Sequence, residues 1–218
     1  MDWGLMLENT PLLLLGLRWT IVVSSAGMAL ALALAVGLVA MGRTSNRLVR
    51  GIARVHTEII LGTPNLVLLF IVFFILPEVG LVIEPFTAGL ITLGLYYSPY
   101  LAEVIRGAMN AVPRGQIEAG EAIGLSGPRI LTRIVGPQAI GMALPPATGL
   151  FIGLIKDSAI LSVISVAEMT FQAKQVIART YAPFEVYVLV AVGYWVLTFL
   201  LELGLRRLEG RVTRYRSL

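Results

Sequence analysis

The chain has 218 residues, of which 57% are hydrophobic and 14% are charged, and its formal net charge is +4. A typical soluble domain carries about 25% charged residues, so this composition excludes a soluble globular domain and an intrinsically disordered chain. The length leaves room for about five or six membrane spans of about 20 residues each. It also excludes a large soluble catalytic domain, and an all-α polytopic membrane protein is predicted.

Two residue types exclude further kinds of site. The chain contains no cysteine and one histidine, His56, so disulfides, thiolate metal sites and multi-histidine metal sites are excluded. We therefore expect no metal and no cofactor. In a membrane protein, a basic balance usually reports arginines on cytoplasmic loops, so nucleic-acid binding is not expected. Residues 1–10 do not resemble a cleaved signal peptide.

Charge-free apolar stretches predict five transmembrane helices. In chain order they are expected at about 11–42, 59–77, 85–106, 130–156 and 184–206. The segment 157–183 contains a further apolar stretch, Ser158–Ala167, which is too short to cross the bilayer. The sequence therefore predicts an external re-entrant or interfacial loop between the fourth and fifth spans.

Arginine placement predicts the orientation of these spans. Arginines cluster between spans one and two, between spans three and four, and in the C-terminal tail. Such segments face the cytoplasm under the positive-inside rule. The N-terminus is therefore predicted outside and the C-terminus inside, as an odd number of spans requires.

The cytoplasmic segment between spans three and four contains a predicted short helix at about 116–124. Its acidic and small residues are Glu118, Ala119, Gly120 and Glu121. The two glutamates lie three residues apart and share one helical face, and Gly124 is expected to end the helix. Two interpretations stand: the helix docks into a groove of another protein, or it lies at the membrane interface with solvated carboxylates.

The spacing of this segment resembles the EAA loop of ABC importer permeases. That family pattern is E-A-A, three residues, G, nine residues, then I-x-L-P, and the spacing here is the same. The matching positions are Glu118, Ala119, Gly120, Gly124, Ile134 and Pro137. Gly120 stands where the family usually has alanine, and Gly136 where it usually has leucine. The resemblance implies that these six residues couple the chain to an ATPase.

Several further motifs are similar to the polar amino acid uptake branch of that family. They are the LGTP at 61–64, the AEVIRG at 102–107, the LPP at 144–146, the KDS at 156–158 and the YAPFE at 181–185. Leu61 replaces the arginine usual in the branch, and Thr148 stands where the branch usually has asparagine. The resemblance extends over most of the chain.

What the resemblance implies is a MetI-like transmembrane fold of five helices in the bacterial cytoplasmic (inner) membrane. The implied function is that of a permease subunit importing a polar amino acid or a related zwitterion. The implied partners are a cytoplasmic ABC ATPase dimer, an external or periplasmic solute-binding protein, a second permease subunit of the same or a similar sequence, and membrane lipid.

The chain is not expected to hydrolyse ATP itself. A phosphate-binding loop needs G-x-x-x-x-G-K-[ST], and the only lysines, Lys156 and Lys174, are followed by aspartate and glutamine. Energy for active transport would therefore come from a partner. A stand-alone secondary transporter or channel for small polar solutes is the alternative, although five spans give no pair of inverted halves. A membrane enzyme is disfavoured because no Ser-His or paired-carboxylate set lies at membrane depth.

The candidate solute pathway rests on four residues, Lys156, Asp157, Ser158 and Thr148. A neighbouring Lys-Asp pair can contact a zwitterion, although adjacent helical residues point about 100° apart. The alternative is that Lys156-Asp157-Ser158 caps the re-entrant segment. For Glu168, Gln172 and Gln175 in the external loop, a solvated face is the default expectation, and contact with a solute-binding protein or the solute path is the alternative.

Overall fold

A computed structural model describes residues 3–212, and all regular elements in that range are helical. The α-helices of that range are α1 (Trp3–Arg43), α2 (Arg47–Gly62), α3 (Asn65–Phe70), α4 (Pro85–Asn110), α5 (Arg114–Ala122), α6 (Gly127–Ile130), α7 (Gly136–Asp157), α8 (Met169–Thr180) and α9 (Pro183–Val212). Two π-helical turns, Ile71–Ile75 and Leu131–Val135, and two 3-10 segments, Leu76–Val79 and Ser158–Ile164, complete them.

Three helical stretches of the described chain are long and apolar enough to cross a membrane. They are Leu7–Arg43, Gly127–Ile164 and Pro183–Gly210. A fourth candidate is the pair Arg47–Gly62 and Asn65–Val79, whose axes differ by 110°. By length and composition, residues 3–212 therefore offer three or four spans, against the five predicted.

The predicted third span, 85–106, corresponds to α4, which is not among these candidates. α4 has 26 residues and measures about 39 Å at 1.5 Å per residue. Its sequence is rich in glycine and hydroxyl-bearing residues, so its apolar character is lower than that of the other long helices. Several of those residues are buried, among them Thr92, Gly94, Tyr97 and Ser98. Because α4 packs against α1 and α7, it does not need an apolar surface all round.

Close packing of α4 depends on its glycines. A Cβ atom on Gly94 would lie 2.5 Å from Cδ2 of Leu30 in α1. One on Gly89 would lie 2.8 Å from Cδ1 of Leu161. Small residues let helix backbones approach closely, and these two positions bring α1 and the 3-10 segment after α7 onto opposite parts of α4.

The predicted second span, 59–77, is interrupted. Thr63 has extended backbone angles, φ −108° and ψ 127°, and α3 begins after Pro64. Proline lacks an N–H and disfavours the helical conformation of the residue before it. The chain therefore bends between α2 and α3, and residues 59–62 belong to α2.

The segment 157–183 is more regular than a simple loop. Ser158–Ile164 continues the helical stretch of α7 as a 3-10 helix, and the chain turns at Ser165, whose φ is +66°. α8 follows, and Tyr181, with φ +54°, ends it before α9. Leu161 and Ile164 are buried in the main apolar core, so this segment is anchored in the helix bundle.

Candidate functional site

Local signals define α5 at both ends. Pro113 precedes it with a ψ of 129°, and Gly124 follows it with a φ of +77°. The N–H of Gly124 donates to the Glu121 carbonyl at 2.9 Å, and that of Leu125 donates to the Gly120 carbonyl at 3.0 Å. This pair of bonds is the Schellman arrangement, which satisfies the last carbonyls of a helix and favours glycine at the left-handed position.

The inner face of α5 is packed against the start of α7. Gly120 is buried, and a Cβ atom there would lie 2.7 Å from Cδ1 of Ile134 and 3.3 Å from Cγ1 of Ile130. The side-chain amide of Gln138 donates to Oε1 of Gln116 at 2.5 Å and to the Ile134 carbonyl at 2.8 Å. α5 is thereby held by apolar contacts to α6 and the π-helical turn, and by one side-chain hydrogen bond to α7.

The outer face of α5 points away from the rest of the chain. Glu118 and Ala119 are exposed, and Ile123, at the end of the helix, is 77% exposed. Within residues 3–212 the Glu118 carboxylate has no ion-pair or hydrogen-bond partner. The exposed side of α5 therefore carries acidic, small and apolar residues that the described chain leaves uncovered.

Ile134 and Pro137 lie in and just after the π-helical turn Leu131–Val135. Pro137 has no N–H to donate to the carbonyl four residues before it. The N–H of Gly136 bonds to the Leu131 carbonyl, five residues back, as in a π-helix. A Cβ atom on Gly136 would lie 2.9 Å from that carbonyl oxygen. The turn therefore requires the glycine that stands where the EAA pattern usually has leucine.

The four residues of the predicted solute pathway do not form one cluster. Lys156 is exposed. Ser158 is fully buried and its hydroxyl donates to the Ile155 carbonyl at 2.7 Å. Thr148 Oγ1 lies 2.9 Å from Oε1 of Glu209 in α9. Each of these side chains therefore faces different surroundings.

Asp157 lies in a polar cluster at the C-terminal end of α7. Its Oδ2 accepts from the hydroxyl of Tyr97 at 2.9 Å and from the amide of Asn65 at 3.3 Å. The rings of Tyr96 and Tyr100 lie 5.5 Å and 6.3 Å from that of Tyr97. The amide oxygen of the same side chain, Asn65 Oδ1, is buried with no hydrogen-bond partner among the described residues.

Sequence reasoning missed the tyrosines and Asn65 of this cluster, although the run YYSPY within an apolar stretch was a usable signal. Buried polar atoms are nearly always paired in folded proteins. The Asn65 oxygen and Ser24 Oγ are the exceptions among the described residues. Within the described residues, no group of three or more acidic or histidine side chains could hold a metal ion.

The carboxylate of Glu168 is buried where three helices meet. It is 0% exposed, and it accepts from the Phe171 N–H at 2.7 Å, the Thr170 N–H at 2.9 Å and the Tyr194 hydroxyl at 2.7 Å. Burial raises the pKa of the Glu168 carboxyl, and the three donors oppose that rise. Thr20 of α1 accepts from the neighbouring Met169 N–H at 3.1 Å. The expectation of a solvated face for Glu168 is wrong, because α1, α8 and α9 meet there.

Residues 27–214 match the family described as the inner membrane component of binding-protein-dependent transport systems. The chain belongs to this family. It is 36% identical over 216 residues to the L-cystine transport system permease protein TcyB of Bacillus subtilis, covering 98% of this chain and 92% of that protein. It is 37% identical over 215 residues to the glutamine transport system permease protein GlnP of Escherichia coli, covering 97% of both.

Comparison with solved structures identifies the fold. The structure described as an amino acid ABC transporter with histidines matches with a TM-score of 0.91 at 34% identity, over 97% of this chain and 99% of that one. An inward-facing structure of the MetNI methionine ABC transporter matches with a TM-score of 0.72 at 22% identity, over 98% of this chain and all of the other. The fold is therefore that of ABC transporter membrane subunits, and this chain is a membrane permease component rather than an ATPase.

Proposed function

We propose that this permease imports a polar amino acid or a related zwitterion across the bacterial cytoplasmic membrane, driven by a separate ATPase and supplied by a solute-binding protein. The observation that carries this is the geometry of α5. Glu118, Ala119 and Ile123 are exposed on it, while Gly120 on its inner face packs against Ile134 in the π-helical turn before α7. Relatives named for L-cystine and glutamine transport support the solute class.

The proposed topology has five spans with the N-terminus outside and the C-terminus inside. The spans are α1, the bent pair of α2 and α3, α4, the stretch from α6 to Ile164, and α9. α4 is included because its length suffices to cross the hydrocarbon core and its polar residues Thr92, Tyr97 and Ser98 are buried among neighbouring helices. The arginine-rich segments then all lie on the cytoplasmic side.

This topology can be tested cleanly because the chain contains no cysteine. Single cysteines are introduced as Val82→Cys in the α3–α4 loop, where Val82 is 85% exposed, and as Ser126→Cys between α5 and α6, where Ser126 is exposed. A membrane-impermeant thiol reagent should label Val82→Cys in intact spheroplasts and Ser126→Cys only after lysis. Labelling of Ser126→Cys in intact spheroplasts would contradict the orientation.

α7 provides the mechanical link between the ATPase side and the solute side. It begins at Gly136, next to the residues that hold α5, and ends at Asp157 in the polar cluster. A push on α5 by the ATPase would move the start of α7, because Ile134 fills the space beside Gly120. The same helix would then shift Asp157 relative to Tyr97 in α4 and Asn65 in α3. Opening and closing of the solute site would follow from that shift.

The cluster around Asp157 suits an ammonium group. A carboxylate gives charge-assisted hydrogen bonds to a cation, and nearby tyrosine rings attract cations through their faces. We assign to Asp157 the recognition of the amino group of the solute, with Lys156 and Thr148 outside this contact.

The docking proposal is tested by co-purification of the permease with its ATPase after co-expression. Glu118→Lys reverses the charge on the outer face of α5, and Glu78→Lys makes the same change at an exposed site on the 3-10 segment Leu76–Val79. The ATPase should be lost from Glu118→Lys and retained by Glu78→Lys. Retention by both variants would remove α5 as the docking element.

A further inference from the structure

α2 is an amphipathic helix with an unpartnered apolar side. Leu48, Ile52, Val55 and Ile59 are 78%, 62%, 54% and 60% exposed. Their spacing of four, three and four residues places them in one stripe along the helix. The residues that pack α2 on the rest of the chain are on another side, where Ala53 and Ile60 are buried. The stripe is therefore a second apolar face, which the described chain leaves uncovered.

A basic cleft lies on the remaining side of α2. It has a volume of about 450 Å³ and lies between the end of α1, α2 and the end of α4. Its charged lining residues are Arg43, Arg50, Arg54, Arg106, Glu58 and Glu103. Four guanidinium groups face two carboxylates, so the cleft carries an excess of positive charge.

Two of these arginines already have partners within the chain. Arg106 forms an ion pair with Glu103, and Nη1 of Arg50 donates to the Thr44 carbonyl at 2.7 Å. Within residues 3–212, Arg43 and Arg54 have no ion-pair partner. Guanidinium groups bind phosphate oxygens through two parallel N–H bonds. The pair Arg43 and Arg54 is therefore available for a phosphate.

The geometry points to an anionic phospholipid as the ligand of this region: we propose that its phosphate binds in the cleft between Arg43 and Arg54 while its acyl chains cover the stripe Leu48–Ile59. The charge of the cleft matches an anionic headgroup, and the stripe matches hydrocarbon. A soluble phosphate would use the cleft alone and leave the stripe exposed.

The location agrees with the electrostatics of the membrane. Anionic lipids of the cytoplasmic leaflet attract basic segments next to transmembrane helices. This step rests on the proposed orientation, in which the ends of α1 and α4 face the cytoplasm. Binding measured in detergent does not depend on orientation, so the lipid proposal and the topology fail in different experiments.

The test is native mass spectrometry of the detergent-solubilised permease titrated with phosphatidylglycerol or phosphatidylcholine. The wild-type protein should retain phosphatidylglycerol more tightly. The double variant Arg43→Gln/Arg54→Gln should bind it more weakly by about tenfold or more, because both charged donors to the phosphate are lost. The matched control Arg18→Gln/Arg179→Gln also removes two exposed arginines and should bind as the wild type does. Equal binding of both lipids, or undiminished binding by the double variant, would overturn the proposal.

Two further arms separate the other possible occupants. Ile52→Gln/Val55→Gln should weaken phosphatidylglycerol binding, and inorganic phosphate should compete poorly with the lipid. Competition by phosphate at matched concentration would identify a soluble-anion site and overturn the lipid assignment.

Ile52→Cys, in this cysteine-free chain, should not cross-link to itself between copies. Efficient cross-linking would show that a second copy covers the stripe. Arg43→Lys/Arg54→Lys, which keeps the charge, serves if the glutamine variant does not fold and should retain a preference for phosphatidylglycerol over phosphatidylcholine.

Discussion

Gly124 occupies the left-handed conformation that ends α5, with a φ of +77°. A residue with a Cβ atom pays about 1–2 kcal/mol to adopt it. Gly124→Ala should therefore lower the thermal unfolding temperature of the solubilised permease and weaken its recovery of the ATPase. Gly127→Ala is the matched control, because Gly127 has an ordinary φ and open space around its Cβ position. Equal effects of the two substitutions would show that the helix end is not under this constraint.

Asp157 provides a second test at the residue scale. Asp157→Asn keeps an oxygen for the hydroxyl of Tyr97 and the amide of Asn65 but removes the negative charge. A hydrogen bond to a charged group contributes about 1.5–3 kcal/mol, so amino acid uptake by reconstituted vesicles should fall about tenfold or more. ATPase co-purification should not change.

Lys156→Gln is the comparison for that experiment, since Lys156 is exposed and outside the Asp157 cluster. It should reduce uptake far less than Asp157→Asn. A larger loss in Lys156→Gln would move the recognition of the solute from Asp157 to its neighbour.

Among the elements, the junction between α6 and α7 is constrained by its π-helical turn. Gly136→Ala would place a Cβ atom 2.9 Å from the Leu131 carbonyl oxygen, and such overpacking costs about 1–3 kcal/mol. Gly149→Ala, in the same helix, meets nothing within 4 Å and should be neutral or slightly stabilising. Thermal unfolding of the two variants measures the difference. A stable Gly136→Ala variant would show that the turn can relax to a regular α-helix.

The start of α8 depends on the carboxylate of Glu168, which accepts from two backbone N–H groups of its first turn. Loss of such a cap costs about 0.5–2 kcal/mol, and Glu168→Ala would also leave the Tyr194 hydroxyl without its carboxylate partner. The variant should unfold at a lower temperature than Glu84→Ala. Glu84 precedes α4 but makes no side-chain capping bond, so its substitution should have little effect.

Local signals made some elements predictable. α5 was expected at 116–124 and lies at Arg114–Ala122, because a proline before it and a glycine after it act within a few residues. The bend at Pro64 carried a local signal too, but the apolar stretch runs on through it, and hydropathy alone suggested a continuous span.

Features that depend on contacts between residues far apart in the chain could not be predicted from the sequence. The burial of Glu168 depends on Tyr194, 26 residues away, and on the approach of α1. The cluster around Asp157 brings together Asn65 and Tyr97, which lie 92 and 60 residues from it in the chain. No spacing rule links such positions, so the sequence marked Asp157 as a candidate without its partners.

For the molecule as a whole, one continuous path joins the proposed ATPase surface to the proposed solute site. It runs from α5 through Ile134 into α7 and ends at Asp157. α4 supplies the opposite wall through Tyr97. A stand-alone transporter or channel would have no use for the rigid attachment of α5, whereas an importer driven by a separate ATPase requires one.

The most direct measurement is solute uptake by proteoliposomes that contain the permease and its ATPase, with the solute-binding protein and amino acid outside and ATP inside. The permease assignment predicts uptake that requires ATP, the ATPase and the binding protein, and that Glu118→Lys abolishes while Glu78→Lys leaves it intact. Uptake at the same rate by the permease alone, without ATP or ATPase, would contradict the assignment and identify a secondary transporter or channel.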